Sequence, residues 1–303
     1  MIEHNGGTDS DADRERPVLP HGRHVWLEGR GRTFVRELAG PAGAPTVVLL
    51  HGWTATADLN WWATYAPLAQ HFRVVALDHR GHGRGIRSGE PFRLEQCADD
   101  VAALAAALGL ERVIPIGYSM GGPIAQLVWR RHRDLVAGLV LCATSASFVG
   151  TTRERVLHGV ASGTSALAGA VPLGRLTSAA LGKWTGWRGR REPAWWGFEE
   201  VARHEWAQIL EAGRETLRFD SRSWIGTVDV PTAVLVTDDD AVVPTDRQQA
   251  LAARIPGSST WTVRGGHAVC TTSPDRFVPA LIGACRSVAA AVAPQRGRLV
   301  LAA

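Results

Sequence analysis

Val113-Ile114-Pro115-Ile116-Gly117-Tyr118-Ser119-Met120-Gly121-Gly122-Pro123-Ile124-Ala125-Gln126-Leu127-Val128-Trp129 passes from a strand pattern into a helix pattern, with a serine at the join. A short apolar, β-branched run reads as a buried strand, and the longer apolar stretch after it reads as a helix. A serine on so sharp a turn takes strained backbone angles, and its hydroxyl is pushed out above the sheet. Glycines two places before and two places after it, Gly117 and Gly121, keep side chains away where strand and helix crowd together.

Outward from this turn, short β-branched runs alternate with amphipathic stretches. Strands are expected at His24–Leu27, Thr33–Leu38, Thr46–Leu50, Arg73–Leu77, Val113–Gly117, Val136–Cys142, Thr232–Val236 and Thr260–Val263. Helices are expected at Trp61–Gln70, Leu94–Leu108, Ile124–Arg131, Asp246–Ala253 and Phe277–Val292. Glu28-Gly29-Arg30-Gly31 reads as a hairpin turn between the first two strands. The alternation predicts an α/β domain, a mostly parallel sheet with helices on both faces.

The rhythm breaks after Ala146 and resumes near Val228. Between them the chain shows helical segments, such as Ser165–Ala170 and Phe198–Leu210, and no buried-strand run. Six of the twelve tryptophans fall there: Trp184, Trp187, Trp195, Trp196, Trp206 and Trp224. The expected organisation is a disordered tail over residues 1–20, a core over 21–146 and 228–303, and a helical insertion over 147–227.

Composition narrows the classes. Of 303 residues, 45% are hydrophobic and 20% charged, ordinary for a globular protein. The net charge of +4 comes almost wholly from arginine, Lys183 being the sole lysine, and the arginines form no basic stripe; nucleic-acid binding is not expected. No apolar run reaches the length of a membrane span, and Met1–Arg16 is too polar for a signal peptide, so the expected place is the cytoplasm. The four cysteines, Cys97, Cys142, Cys270 and Cys285, lack metal-ligand spacing and read as buried free thiols. No metal site is expected.

A serine hydroxyl needs a base to take its proton and an acid to hold that base in the right tautomer. Of the eleven histidines, His267 stands out, in the loop between the last strand and the last helix, at the sheet edge that carries Ser119. Asp238-Asp239-Asp240 follows a strand upstream of it, whereas Ala143–Arg153 holds no carboxylate. An oxyanion hole requires two N–H donors. Met120, after the nucleophile, supplies one from a helix N-terminus, and Trp53, in the loop His51-Gly52-Trp53, is the natural second. His51 is expected to brace that loop.

In order and context these residues resemble the α/β-hydrolase superfamily over about His21 to Val292. His51-Gly52-Trp53 is similar to the family's oxyanion loop, and Asp78-His79-Arg80-Gly81-His82-Gly83 to its Asp-x-Arg-Gly-x-Gly turn, which makes His79 and His82 structural. Asp240-Ala241-Val242-Val243-Pro244 resembles the acid motif, four residues before its proline, and so selects Asp240 from the three aspartates. The resemblance implies eight strands, the second antiparallel, and a helical cap after the sixth.

It also implies a serine hydrolase acting through Ser119, His267 and Asp240 on an ester-type bond, and the tryptophan-rich insertion suggests that the substrate is apolar or aromatic. Serine at the elbow excludes the aspartate-bearing haloalkane dehalogenases and most epoxide hydrolases, and the added polar groups of hydroxynitrile lyases are not identified. The glycines of Gly81–Gly85 match neither a dinucleotide nor a P-loop pattern, so no cofactor is expected. C–C hydrolases, lactonases, thioesterases and cofactor-free perhydrolases share the same triad and remain open. A ligand-binding protein that kept the fold without turnover is the reading from another class.

Overall fold

The computed structural model describes residues 17–149 and 193–292. Its centre is one sheet of eight strands: β1 (Gly22–Leu27), β2 (Gly31–Leu38), β3 (Thr46–Leu50), β4 (Arg73–Leu77), β5 (Val113–Tyr118), β6 (Leu139–Cys142), β7 (Thr232–Thr237) and β8 (Ser259–Val263). Their order across the sheet is β1-β2-β4-β3-β5-β6-β7-β8. β2 runs antiparallel to both neighbours, and all pairings from β4 to β8 are parallel. Strands β3 to β7 are buried almost throughout, as a sheet covered on both faces demands.

Two apolar clusters fill the two faces. On one, α3 (Leu94–Ala107) and α4 (Gly121–Arg131) place Leu104, Ile124 and Trp129 against Val48, Val75 and Leu141. On the other, Trp61, Tyr65, Phe277 and Leu281 pack on Leu49, Ile116 and Val140. The helices that carry these are the short α1 (Ala57–Trp61) and α2 (Tyr65–Ala69), with the last helix, Pro274–Val292.

Two expected helices are each interrupted. Trp61–Gln70 holds only the last residue of α1 and then α2, with Pro67, which has no N–H to continue a helix, in the first turn of α2. At the break, both the N–H and the hydroxyl of Thr64 donate to the Trp61 carbonyl. The second division falls in the insertion, where α5 (Pro193–Ala202) and α6 (Trp206–Arg218) replace a single Phe198–Leu210 helix. The chain is extended at Glu205, and His204 turns aside to core loops. Three further helices complete the core: α7 (Thr245–Arg254), α8 (Val269–Thr272) and α9 (Pro274–Val292).

The expected hairpin turn is present, and strand ends shift by a few residues; Val136 makes only an isolated bridge to Val113 ahead of β6. Where the chain leaves and re-enters the core, Ser147 bridges Asp220 and the Ser221 N–H donates to Ala146. Of the stretch expected to be a tail, residues 17–20 touch the core: Leu19 packs on the second cluster and Arg36 donates to the Pro20 carbonyl. Residues 1–16, the Ser165–Ala170 segment, Trp184 and Trp187 lie outside the described residues.

Candidate active site

The loops after β3, β5, β7 and β8 all leave the sheet at the C-terminal ends of parallel strands, the edge where open α/β sheets bind ligands. Ser119 follows β5 with φ of +52°, the left-handed region that a non-glycine residue adopts only at a cost of about 1 kcal/mol or more. Hydrogen bonds over-determine it. Its N–H donates to Cys142 (3.0 Å), and its carbonyl accepts from the Gly122 N–H (2.9 Å) and the Thr144 hydroxyl (2.8 Å). A side chain at Gly117 would lie 2.2 Å from the Gly121 carbonyl, and one at Gly121 would lie 2.1 Å from that of Leu50. Both glycines are needed where strand and helix meet.

The structure brings the three predicted side chains together. His267 Nε2 lies 2.9 Å from Ser119 Oγ across 148 positions of sequence, and His267 Nδ1 lies 2.8 Å from Asp240 Oδ2. Of the three aspartates, Asp240 alone meets the ring. Asp238 and Asp239 are exposed and tie the loops instead: the Gly265 N–H donates to the Asp238 carboxylate, and the Asp239 N–H to the Gly265 carbonyl.

Asp240 is held from all sides. One oxygen accepts from the N–H groups of Val242 and Val243, both at 2.8 Å. The other accepts from the Thr237 hydroxyl (2.7 Å), the Gln248 amide (3.1 Å) and His267. Burial alone would raise its pKa, but the hydrogen bond and charge of His267, then the Val243 N–H and Thr237, outweigh burial and leave the carboxyl below its usual range. Thr237 and Gln248 were not singled out from sequence; a buried polar residue one helix turn beyond the acid motif is a weak signal on its own.

The loop after β3 comes close to Ser119: a side chain at Gly52 would sit 3.3 Å from Ser119 Cβ, and Met120, next after Ser119, is the N-cap of α4. The Gly52 N–H donates to Asn60 (2.8 Å), which fixes the loop from α1. His51 braces it, as predicted: its Nδ1 bonds the Gly52 carbonyl (2.8 Å) and its Nε2 accepts from the His79 N–H (2.9 Å). Asp78 fixes its turn through the N–H groups of Ala57 and Arg84, and the His79 and His82 rings are buried in the core.

A cavity of about 520 Å³ opens onto Ser119 and His267. Trp53, Leu59, Trp62, Tyr118 and Trp196 wall it, and among its described lining residues there is no Asp, Glu, Lys or Arg. Two of the described tryptophans of the insertion take different roles. Trp196 lines the cavity, whereas Trp224 stacks on Trp129 of the core at 6.2 Å between ring centroids. Trp53 and Trp62, which belong to the core, were not expected as cavity walls. Cys270 also lines it, and its thiol is pushed up to about 12 by burial, so it is no nucleophile. All four cysteines are buried and free, as expected.

The family model described as alpha/beta hydrolase fold matches residues 45–274. The chain belongs to the α/β-hydrolase fold family. A relative from Agrobacterium fabrum, provisionally named carbamate hydrolase RutD, is 31% identical over 251 residues, covering 78% of this chain and 91% of the relative. The bifunctional esterase/perhydrolase DCH of Acinetobacter calcoaceticus is 40% identical over 104 residues, covering 34% of this chain and 37% of that protein. Among solved structures, the enol-lactonase of Burkholderia xenovorans LB400 superposes with a TM-score of 0.71 at 24% identity, covering 87% of this chain and all (100%) of that one, a likeness of fold. The eight-stranded sheet with helices inserted after β6 is the α/β-hydrolase architecture. Among the described residues no group of His, Cys, Asp and Glu is arranged to hold a metal, and no helix is long and apolar enough to cross a membrane.

Proposed function

We propose that this α/β hydrolase is a serine esterase that cleaves uncharged, apolar or aromatic esters through an acyl-enzyme. The observation that carries the reading is the line of hydrogen bonds from Ser119 Oγ through His267 to Asp240, at 2.9 and 2.8 Å. Ser119 Oγ attacks the acyl carbon as its proton passes to His267 Nε2. The carbonyl oxygen becomes an oxyanion that accepts from the Trp53 and Met120 N–H groups. His267 then gives the proton to the leaving alkoxide, and the acyl group stays on Ser119. A water attacks the acyl carbon, its proton goes to His267 and on to Ser119 Oγ, and the acid leaves.

The substrate class rests on the cavity walls. Aromatic and aliphatic side chains with no lining charge favour an apolar ligand, and an ionised substrate would be desolvated there without a counter-charge. The helices α5 and α6 serve in this reading as a cap, with Trp196 as part of the acyl- or alcohol-binding wall. A cytoplasmic setting is supported by the four cysteines held as free thiols.

Turnover of a series of nitrophenyl esters, with Ser119→Ala as control, tests the proposal. The expected result is hydrolysis by the wild type and a loss of about 10³-fold or more in the variant. Wild-type protein that neither turns over these esters nor takes a fluorophosphonate label would instead favour a ligand-binding role. Likeness to a named esterase/perhydrolase favours one second reading, in which hydrogen peroxide replaces water as acyl acceptor. Peracid formation from acetate or an ester and peroxide tests it, and thioesters and lactones complete the panel.

A further inference from the structure

We propose that His204, on the inserted helices, is a positioning residue that holds the oxyanion loop in its working shape. The inference rests on the hydrolase reading, and it assigns the cap a part in the chemistry beyond walling the cavity. Thr54 immediately follows the Trp53 donor and has φ of +60°, unfavourable for a threonine. Within the turn, the Ala55 N–H donates to the Gly52 carbonyl at 3.3 Å and the Thr54 hydroxyl to the Trp53 carbonyl at 2.6 Å, and from the core Asn60 and His51 hold only Gly52.

The inserted helices supply three further ties. His204 Nε2 lies 3.0 Å from the Thr54 carbonyl, the Trp53 indole N–H donates to Ile209 O at 2.7 Å, and the Thr56 hydroxyl donates to Glu200 at 2.9 Å. The opposite ring nitrogen, His204 Nδ1, accepts from the Gly83 N–H at 2.9 Å. That bond fixes the tautomer: Nδ1 is the acceptor, so Nε2 carries the hydrogen it gives to Thr54. The ring thus bridges the oxyanion loop to the turn after β4.

Two other features agree with this role. The chain breaks between α5 and α6 at this histidine, so helix continuity yields to the bridge. A side chain at Gly213 of α6 would lie 2.7 Å from the Trp53 ring, so α6 closes on Trp53 at a place kept free of one. His204 itself is 7% exposed and does not line the cavity, so its effect on the reaction passes through the loop. A displaced donor weakens oxyanion stabilisation, and a misplacement of about 1 Å can cost on the order of 10²-fold in rate.

The test compares His204→Leu, which fills space without either bond, and His204→Gln, whose amide can donate to Thr54 and accept from Gly83. Ester kcat and KM are measured on folded protein at pH 8. The expected result is a kcat lowered about 10- to 100-fold in His204→Leu with KM within about threefold, and substantial recovery of kcat in His204→Gln. Should His204→Leu fail to fold, Trp53→Phe, which keeps the backbone donor and cuts the tie to Ile209, is read for the same fall in kcat. A kcat within threefold of wild type in the folded loss-of-bond variant overturns the proposal, as does a Gln variant no better than Leu. An inactive, unlabelled wild type would sink the hydrolase reading and this role with it, an outcome distinct from an active enzyme indifferent to His204.

Discussion

Tyr118 donates its phenolic O–H to the backbone carbonyl of His267 at 2.6 Å, so the residue before Ser119 also anchors the loop that carries His267. The same ring packs between Trp61 and Phe277 in the core. Distance from Ser119 to His267 is thereby set by a rigid aromatic rather than by the loop alone. Tyr118→Phe keeps the packing and removes the bond. Ester kcat is expected to fall about tenfold while the thermal midpoint moves little; an unchanged kcat would show that the loop holds itself.

Asp240 depends on Gln248 as well as on its own loop. The buried Gln248 amide donates to Asp240, to Thr237 Oγ1 and to the Val243 carbonyl, while its oxygen accepts the Thr237 N–H. Gln248→Ala leaves several buried groups unpaired, with an expected loss of about 1–3 kcal/mol in chemical denaturation. Asp240→Asn removes the charge that orients His267, and kcat is expected to drop about 10²- to 10⁴-fold. A Gln248 variant of wild-type stability would remove this account of the acid's support.

Acid should destabilise the fold well above the carboxylate range. Burial holds His51 neutral, with its pKa lowered to about 4 from an ordinary 6.5, and burial lowers His79 and His82 well below that ordinary value. Between pH 6.5 and 4 the unfolded chain binds protons that the folded chain refuses, so stability falls as pH drops through that window. His51 alone accounts for about 3 kcal/mol. Urea midpoints at pH 7.5 and 4.5 check this, and equal midpoints would contradict neutral burial of the cluster. The lowered pKa of Asp240 acts only below its ordinary 3.8, outside the window compared.

Cys270 should be inert in the native protein. It is 5% exposed, and burial pushes its thiol up to about 12, so thiolate is scarce at pH 8. Dithionitrobenzoate is expected to react with Cys270 only after denaturation, and alkylating reagent should leave activity intact. Rapid native labelling at this position would show that the thiol ionises readily in the folded protein.

Trp196 reaches the cavity from the inserted helices and is 8% exposed. Trp196→Ala should raise KM several-fold for a phenylacetate- or hexanoate-type ester and much less for an acetate, since about 25 cal/mol is lost per Å² of apolar contact. Equal shifts across the series would mean that the ring packs the cap without touching substrate.

The sequence by itself determined the strand–Ser119–helix turn and the strand rhythm of the sheet, and with the family resemblance it singled out Ser119, Asp240 and His267, which the fold brings together. These are encoded by neighbours in the chain: a strained Ser between glycines, β-branched runs of strand length, an acid spaced before a proline. Only the tertiary structure decided what supports them. Tyr118 meets His267 across 149 positions, His204 meets Thr54 across 150, and Gln248 closes on Asp240 from an adjoining helix. Local pattern reports backbone preference and the face a residue presents, whereas such partners are chosen by how layers pack. The break between α5 and α6 at His204 has the same origin, a long-range hydrogen-bonding demand.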